Sequence, residues 1–380
     1  MKENFIKMIF IQPWINMNNI LYKKIILIMP SQKSKFSVMY DDYNDLYLGL
    51  KKIGFDSEII LLKTIEEYSK FPYFNVKELD IKDLNYIFLS EDQFFLTIDD
   101  YNIMDYFFRN KIKLKNLIIW SHYFYGQRFI FERYKKLWEE NFGSPYQIKI
   151  LNYIPFNFLK KNAEFYYIPL KNNRTIAQSL WTDLLLERVY NIFSEGILYI
   201  PIEQEYYNVN EYSKENRAMV FFGAKEDVDL FSLKKTVDLL KVIDPKIEFD
   251  YFGNEEIGLI FNKKYNENLE YLGKLERKDL SKEYSRHLFT ISPIYNGTFE
   301  MVPVQSLLCG TPVITYLQPF IEVTGLSMLI ANINNINEIK RKINYWINKD
   351  LKDDLEVMKN KILNNMDNKK IAMDLLYYLE

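Results

Sequence analysis

The chain has 380 residues, of which 48% are hydrophobic and 26% charged, and its formal net charge is −2 at pH 7. This length is enough for two domains of ordinary size, and the balanced charge provides no overall basic field for nucleic acid. The only cysteine is Cys309, so an intramolecular disulfide is excluded, which suits a reducing cytosol. No apolar run reaches the ~20 residues that a transmembrane helix needs, and the first residues lack a signal-peptide cleavage site. The predicted location is therefore cytoplasmic.

Lysines cluster in two short runs, at Lys111, Lys113 and Lys115 and at Lys51 and Lys52. Such runs are typical of a solvated face of a protein. The alternative is a patch that contacts a membrane surface peripherally. The sequence leaves both interpretations open.

The first half of the chain alternates strands and helices. Ile25–Met29 is a continuous apolar run, which is typical of a strand buried on both faces. A helix at Asp41–Ile53, ended by Gly54, and a strand at Glu58–Leu62 complete a right-handed βαβ unit. Further strands are predicted at Tyr86–Leu89, Leu117–Trp120 and Thr175–Gln178, a helix capped by Ser179 follows, and Ile197–Glu203 closes this half.

The second half repeats the alternation after a polar stretch at 203–217 that lacks apolar periodicity. Strands are predicted at Met219–Phe222, Ile247–Phe252, Tyr271–Gly273, Leu288–Ser292 and Pro312–Tyr316, with helices at Leu230–Val242, Lys278–Tyr284, in the segment from Phe299 to Cys309, and from Asn335 onward. Two such runs predict an α/β fold of two Rossmann-like, doubly wound domains that face a cleft. The predicted domains span residues 1–205 and 218–362, with a linker at 206–217. A C-terminal helix is predicted at 363–380, and packing of this helix on the first domain is one of the arrangements that the sequence allows.

Several common site types are absent from the sequence. The loop after the first strand, PSQKSKFSV, contains no glycine, which argues against a dinucleotide site there. Neither a GxxxxGK[ST] phosphate loop nor a GxSxG nucleophile motif is present. His122 and His287 are the only histidines, so a zinc site rich in His or Cys lacks ligands. No metal or cofactor is predicted.

The most informative stretch is NGTFEMVPVQSLLCGTPVI, residues 296–314. It predicts a strand–turn–helix whose first helical turn, around Thr298–Met301, faces the cleft. The free N–H groups and the positive end of a helix attract a diphosphate, and Gly297 lets a ligand approach the backbone closely. Glu300 alone is also explained as a first-turn acid favoured by the helix dipole. Core contacts are expected from Phe299, Val302, Leu307 and Leu308.

The second half of the chain resembles the nucleotide-binding domain of the retaining, two-domain glycosyltransferases of family 4, which have the GT-B fold. The segments that carry the resemblance are AMVFFGAKEDVDLFSLKKTVDLL, IEFDYFGN, NLEYLGKLERKDLSKEYSRHLFTISPI and GTFEMVPVQSLLCGTPVI, in the order and at the spacing of the family. The first half adds NNRTIAQSLWTDLLLERVY and ILYIPIEQEYY, which are similar to the family's segment leading into the linker. The resemblance implies a hexosyltransferase that acts with retention. Its donor is a nucleotide-diphosphate sugar, and its acceptor is a hydroxyl group of a glycan or of a lipid- or protein-linked glycan.

The resemblance carries over unevenly to single residues. The family's two motif glutamates fall on Gly297 and Gln305. In the family, the first contacts the donor sugar and the second holds the ribose hydroxyls. Gln305 retains the ability to donate to and accept from a ribose. Glu300 is a candidate for the missing carboxylate, and the alternative is that it crowds the phosphates.

The residues that bind the diphosphate in the family are also altered. Family members follow the strand matching Met219–Phe222 with Gly-Arg, whereas here Gly223 is followed by Ala224 and Lys225. Lys225 is a candidate for one phosphate contact, and a solvated loop lysine is the alternative. The donor-binding residues predicted in this way are Gly223, Lys225, Gly297, Thr298, Phe299, Met301 and Gln305.

His122 follows an apolar strand in the first half, in the sequence WSHYFYG. Family members carry a histidine in this loop, near the acceptor and the transferred sugar, so the resemblance assigns a catalytic role to His122. Glu300 is the second predicted catalytic residue, as the substitute for the carboxylate that the family has at the position of Gly297. The alternative for His122 is a structural histidine packed against aromatic neighbours. Glu91 and Asp92, which come after a predicted strand, are further candidates for binding acceptor hydroxyls, whereas His287 is predicted to be structural.

Three interpretations of the function follow. The first is a sugar transferase with a nucleotide sugar donor and a glycan or lipid-linked acceptor. The second is a catalytically impaired partner subunit that keeps sugar-nucleotide binding. The third is a nucleic-acid-modifying sugar transferase, which the balanced net charge disfavours. No nucleic acid is therefore expected as a partner.

Overall fold

The first sheet contains six parallel strands. They are β1 Lys24–Pro30, β2 Ser57–Lys63, β3 Lys77–Asp80, β4 Gln93–Ile98, β5 Leu117–Ser121 and β6 Arg174–Ala177. Their order across the sheet is β3-β2-β1-β4-β5-β6. The strand β1 thus lies in the middle of the sheet, and the strand order reverses between β1 and β4, which is the topological switch point where α/β folds bind ligands. This computed structural model describes residues 22–31, 38–64, 70, 76–88, 90–122, 164–207, 213–223, 230–265, 269–294, 299–316 and 320–379.

The helices described in the first half lie on this sheet. They are α1 Val38–Lys52, α2 Leu84–Ile87, α3 Tyr101–Arg109, α4 Glu164–Asn172 and α5 Leu180–Leu185. The predictions of β1, α1, β2, β5 and β6 are confirmed to within a few residues at each end. The predicted cap is confirmed as well, because the Ser179 hydroxyl accepts the backbone N–H of Thr182 at 3.0 Å.

The predicted strand at Tyr86–Leu89 is wrong. The chain forms the one-turn helix α2 instead, in which Leu84 and Phe88 are buried four positions apart while Tyr86 is 76% exposed. That spacing belongs to a helix rather than a strand. The strand of this region is β4, which pairs with β1 on the side opposite β2. Glu91 and Asp92 therefore precede a strand instead of following one. They lie at the amino edge of the sheet, away from the ends where ligands gather.

The second sheet also contains six parallel strands. They are β7 Arg217–Phe222, β8 Glu248–Gly253, β9 Glu270–Tyr271, β10 Thr290–Ser292, β11 Val313–Thr315 and β12 Ile330–Asn332. Their order is β12-β11-β10-β7-β8-β9, which is the winding of the first sheet repeated. The switch point therefore lies between β7 and β10.

The helices of the second half, apart from the last one, surround this sheet. They are α6 Leu230–Leu240, α7 Glu255–Tyr265, α8 Arg277–Arg286, α9 Met301–Leu308, α10 Ile321–Thr324, α11 Ile336–Asn348, α12 Lys352–Met366 and α13 Asn368–Tyr377. The five strands and the helices predicted here are confirmed with shifted ends, whereas the helices α7 and α10 and the strand β12 were not predicted.

The two segments that connect the halves, one near Ile202 and one near Asp367, lie side by side. Ile202 donates its backbone N–H to Met366 at 2.7 Å and accepts the N–H of Asn368 at 3.1 Å. After this pairing, α13 packs against α1 in the first half. The approach is close, because a Cβ atom at Gly49 would lie 2.1 Å from the Asn368 carbonyl oxygen.

The carboxyl edges of the two sheets, meaning the edges at which their parallel strands end, face each other. Leu180, which follows β6, donates its backbone N–H to Glu322, which follows β11, at 2.9 Å. The ring of Phe299, which follows β10, lies 6.4 Å from the ring of Tyr199. The predicted architecture of two doubly wound domains across a cleft is confirmed.

Candidate functional site

Asp99 organises the carboxyl edge of the first sheet. It follows β4, is almost fully buried, and accepts hydrogen bonds from the Ser121 hydroxyl at 2.7 Å and the His122 backbone N–H at 2.8 Å. The Tyr166 hydroxyl is its third donor. A buried carboxylate with three donors is well compensated. Asp99 therefore fixes the end of β5 and the backbone of His122, the histidine that the sequence predicts to be catalytic.

His122 is held rigidly at this edge. Its backbone carbonyl accepts the Gln178 amide at 2.9 Å, and its ring lies edge-on to Trp120 with the centroids 4.1 Å apart. Burial lowers the pKa of His122 to about 3, so the imidazole is neutral near pH 7. A neutral imidazole exchanges hydrogen bonds with a hydroxyl group but offers no positive charge to a phosphate.

Three aspartates on α1, Asp41, Asp42 and Asp45, were not identified as site residues from the sequence. Asp42 is only 3% exposed, and its Oδ2 atom lies 3.7 Å from the Nδ1 atom of His122. Burial raises the pKa of Asp42 well above its usual range, and Asp41 and Asp45 raise it further. The signal available in the sequence was the run YDDYND, which puts three acids on the helix after the first strand of a doubly wound fold.

Arg277 from the second half reaches this acidic cluster. Its guanidinium group donates two hydrogen bonds of 2.8 Å to the fully buried Asp45 carboxylate, and its Nε atom lies 3.8 Å from Asp41. The guanidinium group also lies 4.7 Å from the centroid of the Tyr206 ring. Arg277 therefore ties α8 to α1 across the two halves with a bidentate ion pair.

Glu322 makes a second connection between the halves. It accepts the Leu180 N–H at 2.9 Å through one carboxyl oxygen. Burial raises the pKa of Glu322 to about 8, while the Leu180 N–H and Tyr199 lower it. Nothing near Glu322 in the sequence identifies it as a site residue, because its partners lie in the other half of the chain.

The carboxyl edge of the second sheet is formed around α9. This helix begins at Met301, so its first turn starts later than the predicted Thr298–Met301, and Pro303 is accommodated inside that turn. Glu300 is the N-cap residue, with extended backbone, but its side chain makes no capping hydrogen bond. Its place at the N-terminal end of α9 is that of an acid favoured by the helix dipole, and this interpretation of Glu300 stays a prediction.

The predicted donor-binding residues fall into two groups. Phe299 and Met301 are buried in the apolar cluster around α9, and Gln305 is 7% exposed one turn further along that helix. Gly223 is buried directly after β7, next to β10. Gly223 and Phe299 thus follow the two strands, β7 and β10, between which the strand order of the second sheet reverses. Lys225, Gly297 and Thr298 lie outside the described residues, so their roles stay predictions.

In the described part of the chain, no group of three or more His, Cys, Asp or Glu side chains is arranged to hold a metal ion. None of its helices is both long and apolar enough to span a bilayer.

Solved structures with the same architecture cover nearly the whole chain. Sucrose-phosphate synthase from Thermosynechococcus elongatus superposes with a TM-score of 0.62 over 94% of this chain and 98% of that chain, at 13% identity. The lipopolysaccharide outer core galactosyltransferase WaaB gives 0.59 over 93% and 99%, at 10% identity. A mutant of the T4 phage enzyme BGT in complex with UDP-glucose gives 0.55 over 94% and 99%, at 13% identity. No protein-family model and no curated protein sequence matches the chain.

At such low sequence identity, these superpositions establish the fold alone. The chain has the GT-B architecture, in which two Rossmann-like sheets present their carboxyl edges to one cleft.

Proposed function

We propose that this protein is a glycosyltransferase that moves a hexose from a nucleotide-diphosphate sugar to an acceptor hydroxyl group with retention. The observation that carries the proposal is the position of α9. Its N-terminus lies at the switch point of the second sheet and faces the carboxyl edge of the first. A helix N-terminus stabilises a diphosphate both as a bound ligand and as a leaving group.

The second half binds the donor in this proposal. Gln305, on the buried helix α9, takes the ribose hydroxyls. The backbone at Gly223 and at the start of α9 takes the phosphates, with Lys225 as an added cation. Retention comes from the family resemblance alone, and the helix dipole supplies the stabilisation that a metal ion provides elsewhere. The neighbours support a nucleotide sugar as donor, since one T4 BGT structure contains UDP-glucose.

The first half binds the acceptor, a glycan or a lipid-linked glycan, with His122 at the junction of acceptor and transferred sugar. Glu300 acts from the opposite side of the cleft in place of the acid that Gly297 lacks. Substitution of Glu300 by alanine is then expected to lower turnover and to leave nucleotide affinity nearly unchanged.

A second candidate function comes from the T4 phage neighbour, which is described as a DNA-modifying enzyme. The matching observation is the fold at a TM-score of 0.52. The net charge of −2 disfavours this alternative, because phosphate contacts by Lys and Arg dominate nucleic-acid affinity. Binding to duplex DNA that weakens steeply with salt would support it.

The test is a panel of UDP-, ADP- and GDP-sugars, with binding measured by calorimetry and hydrolysis and transfer by chromatography. Binding of one donor, with slow hydrolysis that an acceptor accelerates, is the expected result. Tight binding with neither hydrolysis nor transfer would favour the partner-subunit interpretation. Full activity of Glu300→Ala would remove Glu300 from the mechanism.

A further inference from the structure

The carboxyl group of Asp42 is buried and faces His122. The 3.7 Å between Asp42 Oδ2 and His122 Nδ1 is longer than a hydrogen bond. No hydrogen bond from the described residues reaches the Asp42 carboxyl group. A buried carboxyl group without such a partner costs the fold free energy, and groups of this kind concentrate at functional sites.

We propose that Asp42 and His122 together bind one hydroxyl group of a sugar in the cleft. The proposal rests on the sugar-transferase function and adds Asp42 as a binding residue of that site. A hydroxyl oxygen about 2.8 Å from Asp42 Oδ2 and from His122 Nδ1 forms a triangle whose third side is the observed 3.7 Å. The two side chains thus have the spacing of a pair bridged by a single oxygen atom.

Both sides of this site are fixed by contacts within the protein. His122 is held by its backbone bonds to Asp99 and Gln178. Asp42 sits on α1, where the hydroxyl of the next residue, Tyr43, donates to the Ile28 carbonyl at 2.8 Å. Little ordering is therefore needed when a ligand binds, which favours affinity.

The chemistry of the pair selects a hydroxyl group over an anion. A hydroxyl group both donates and accepts, so it complements a carboxyl and a neutral imidazole whichever of them holds the proton. A phosphate is disfavoured because Asp41 and Asp45 add negative charge on the same helix, which also raises the pKa of Asp42 beyond the effect of burial. Arg277 offsets that charge in part.

Two sources of the hydroxyl group fit this site, the transferred hexose and the acceptor. The two histidines of the chain, His122 and His287, allow a direct test, because imidazole nitrogen NMR resolves one spin system for each. His122→Gln assigns the signals. UDP, the sugar nucleotide selected by the donor panel, and methyl α-D-glucopyranoside or glycerol added to the UDP-bound protein are the probes.

The His122 signals are expected to stay unchanged with UDP and to shift with one of the sugar-containing probes. A shift with the sugar nucleotide assigns the site to the transferred hexose, and a shift with the glucoside or glycerol assigns it to the acceptor. Unchanged signals with every probe, while UDP binds, overturn the proposal. Absence of any nucleotide binding overturns the proposed function instead, and the site with it.

Asp42→Asn separates this role from a structural one. The variant is expected to bind the sugar probe about 10- to 100-fold more weakly, with unchanged UDP affinity. Its thermal midpoint is expected to equal or exceed that of the wild type, because the amide removes a buried carboxyl group. A lower midpoint with unchanged sugar affinity would assign Asp42 to stability alone. Asp41→Asn is the matched control, since Asp41 faces Arg277, and its sugar affinity is expected within about twofold of the wild type.

Discussion

At the carboxyl edge of the first sheet the polar groups are buried side chains, whereas at the edge of the second sheet they belong largely to the backbone at the start of α9. Asp42, Asp99 and His122 stand at fixed positions in the first edge. The described residues of α9 are mostly apolar, with Gln305 and Ser306 as its buried polar side chains.

This difference assigns different recognition tasks to the two halves. Side chains at fixed distances distinguish one hydroxyl group from its neighbours, because each hydrogen bond has a preferred direction. A helix N-terminus attracts negative charge with little demand on its exact position. The first half is therefore suited to reading sugar hydroxyls and the second to holding a diphosphate. A ligand can contact both halves at once only when the two carboxyl edges are held face to face.

The largest expected effect tests that connection. Arg277→Met leaves Asp45 buried without its bidentate partner. Removing one member of a buried ion pair costs about 3–5 kcal/mol of unfolding free energy, which denaturant unfolding measures. Adding Asp45→Asn to this variant is expected to restore part of the loss.

The matched control for Arg277 is an ion pair at the surface. Arg286 donates two hydrogen bonds to one carboxylate oxygen of Glu215, and both side chains are about 40% exposed. Arg286→Met is therefore expected to cost under about 1 kcal/mol. If the two substitutions had equal costs, the ion pair between the halves would contribute no more than a surface pair.

The next effect concerns Glu322, whose pKa in the folded protein is about 8. Because this pKa lies above that of an unfolded glutamate, about 4.3, the folded protein binds the proton more tightly. The contribution of Glu322 to stability is therefore lost as the pH rises between about 4.5 and 8, and Glu322→Gln should remove that loss, on the order of 2 kcal/mol. Denaturant unfolding of both proteins at pH 5.5 and pH 8.5 measures the difference.

Glu255→Gln, at an exposed position in the first turn of α7, controls for loss of a carboxylate without burial. Its dependence of stability on pH is expected to match that of the wild type. If Glu322→Gln also behaved like the wild type, the link between the two edges through Leu180 would not depend on the protonation of Glu322.

The sequence was sufficient for the fold because the fold depends on local patterns. Continuous apolar runs such as Ile25–Met29 and the restart of the alternation at Met219–Phe222 predict buried parallel strands wherever they occur. The error at Tyr86–Leu89 has the same origin, since a short apolar run fits a helical turn as well as a strand. Only the burial of Leu84 and Phe88 on one side distinguishes the two.

The site could be predicted only in part, because half of it is defined by contacts between distant segments. Asp45 and Arg277 are 232 positions apart, and each alone looks like an ordinary charged residue on a helix. Asp42 gains its significance from burial beside His122, which no spacing rule encodes. Gln305 and His122 were identified because a family pattern marks them, and that pattern contains no position for the α1 acids.

A smaller effect is expected from Gln305, to which the proposed function assigns the ribose hydroxyls. Gln305→Ala should weaken nucleotide binding about 5- to 10-fold, the size of one or two hydrogen bonds to a ribose. Gln93→Ala, at the start of β4 and away from the cleft, is the matched control. Unchanged nucleotide affinity in Gln305→Ala would indicate that the second edge binds the nucleotide without this side chain, through backbone contacts alone.

The smallest effect concerns the lysines at the amino edge of the first sheet, opposite the cleft. Lys111, Lys113 and Lys115 are exposed and alternate with inward-facing Ile112 and Leu114. Their place just after α3 lets them complement the negative end of that helix, so a solvated face explains them without a partner. Triple substitution by alanine is expected to change the unfolding free energy by under about 1 kcal/mol and to leave donor hydrolysis unchanged. Wild-type protein that sedimented with anionic vesicles, and lost this binding in the triple variant, would instead give the amino edge a membrane-binding role.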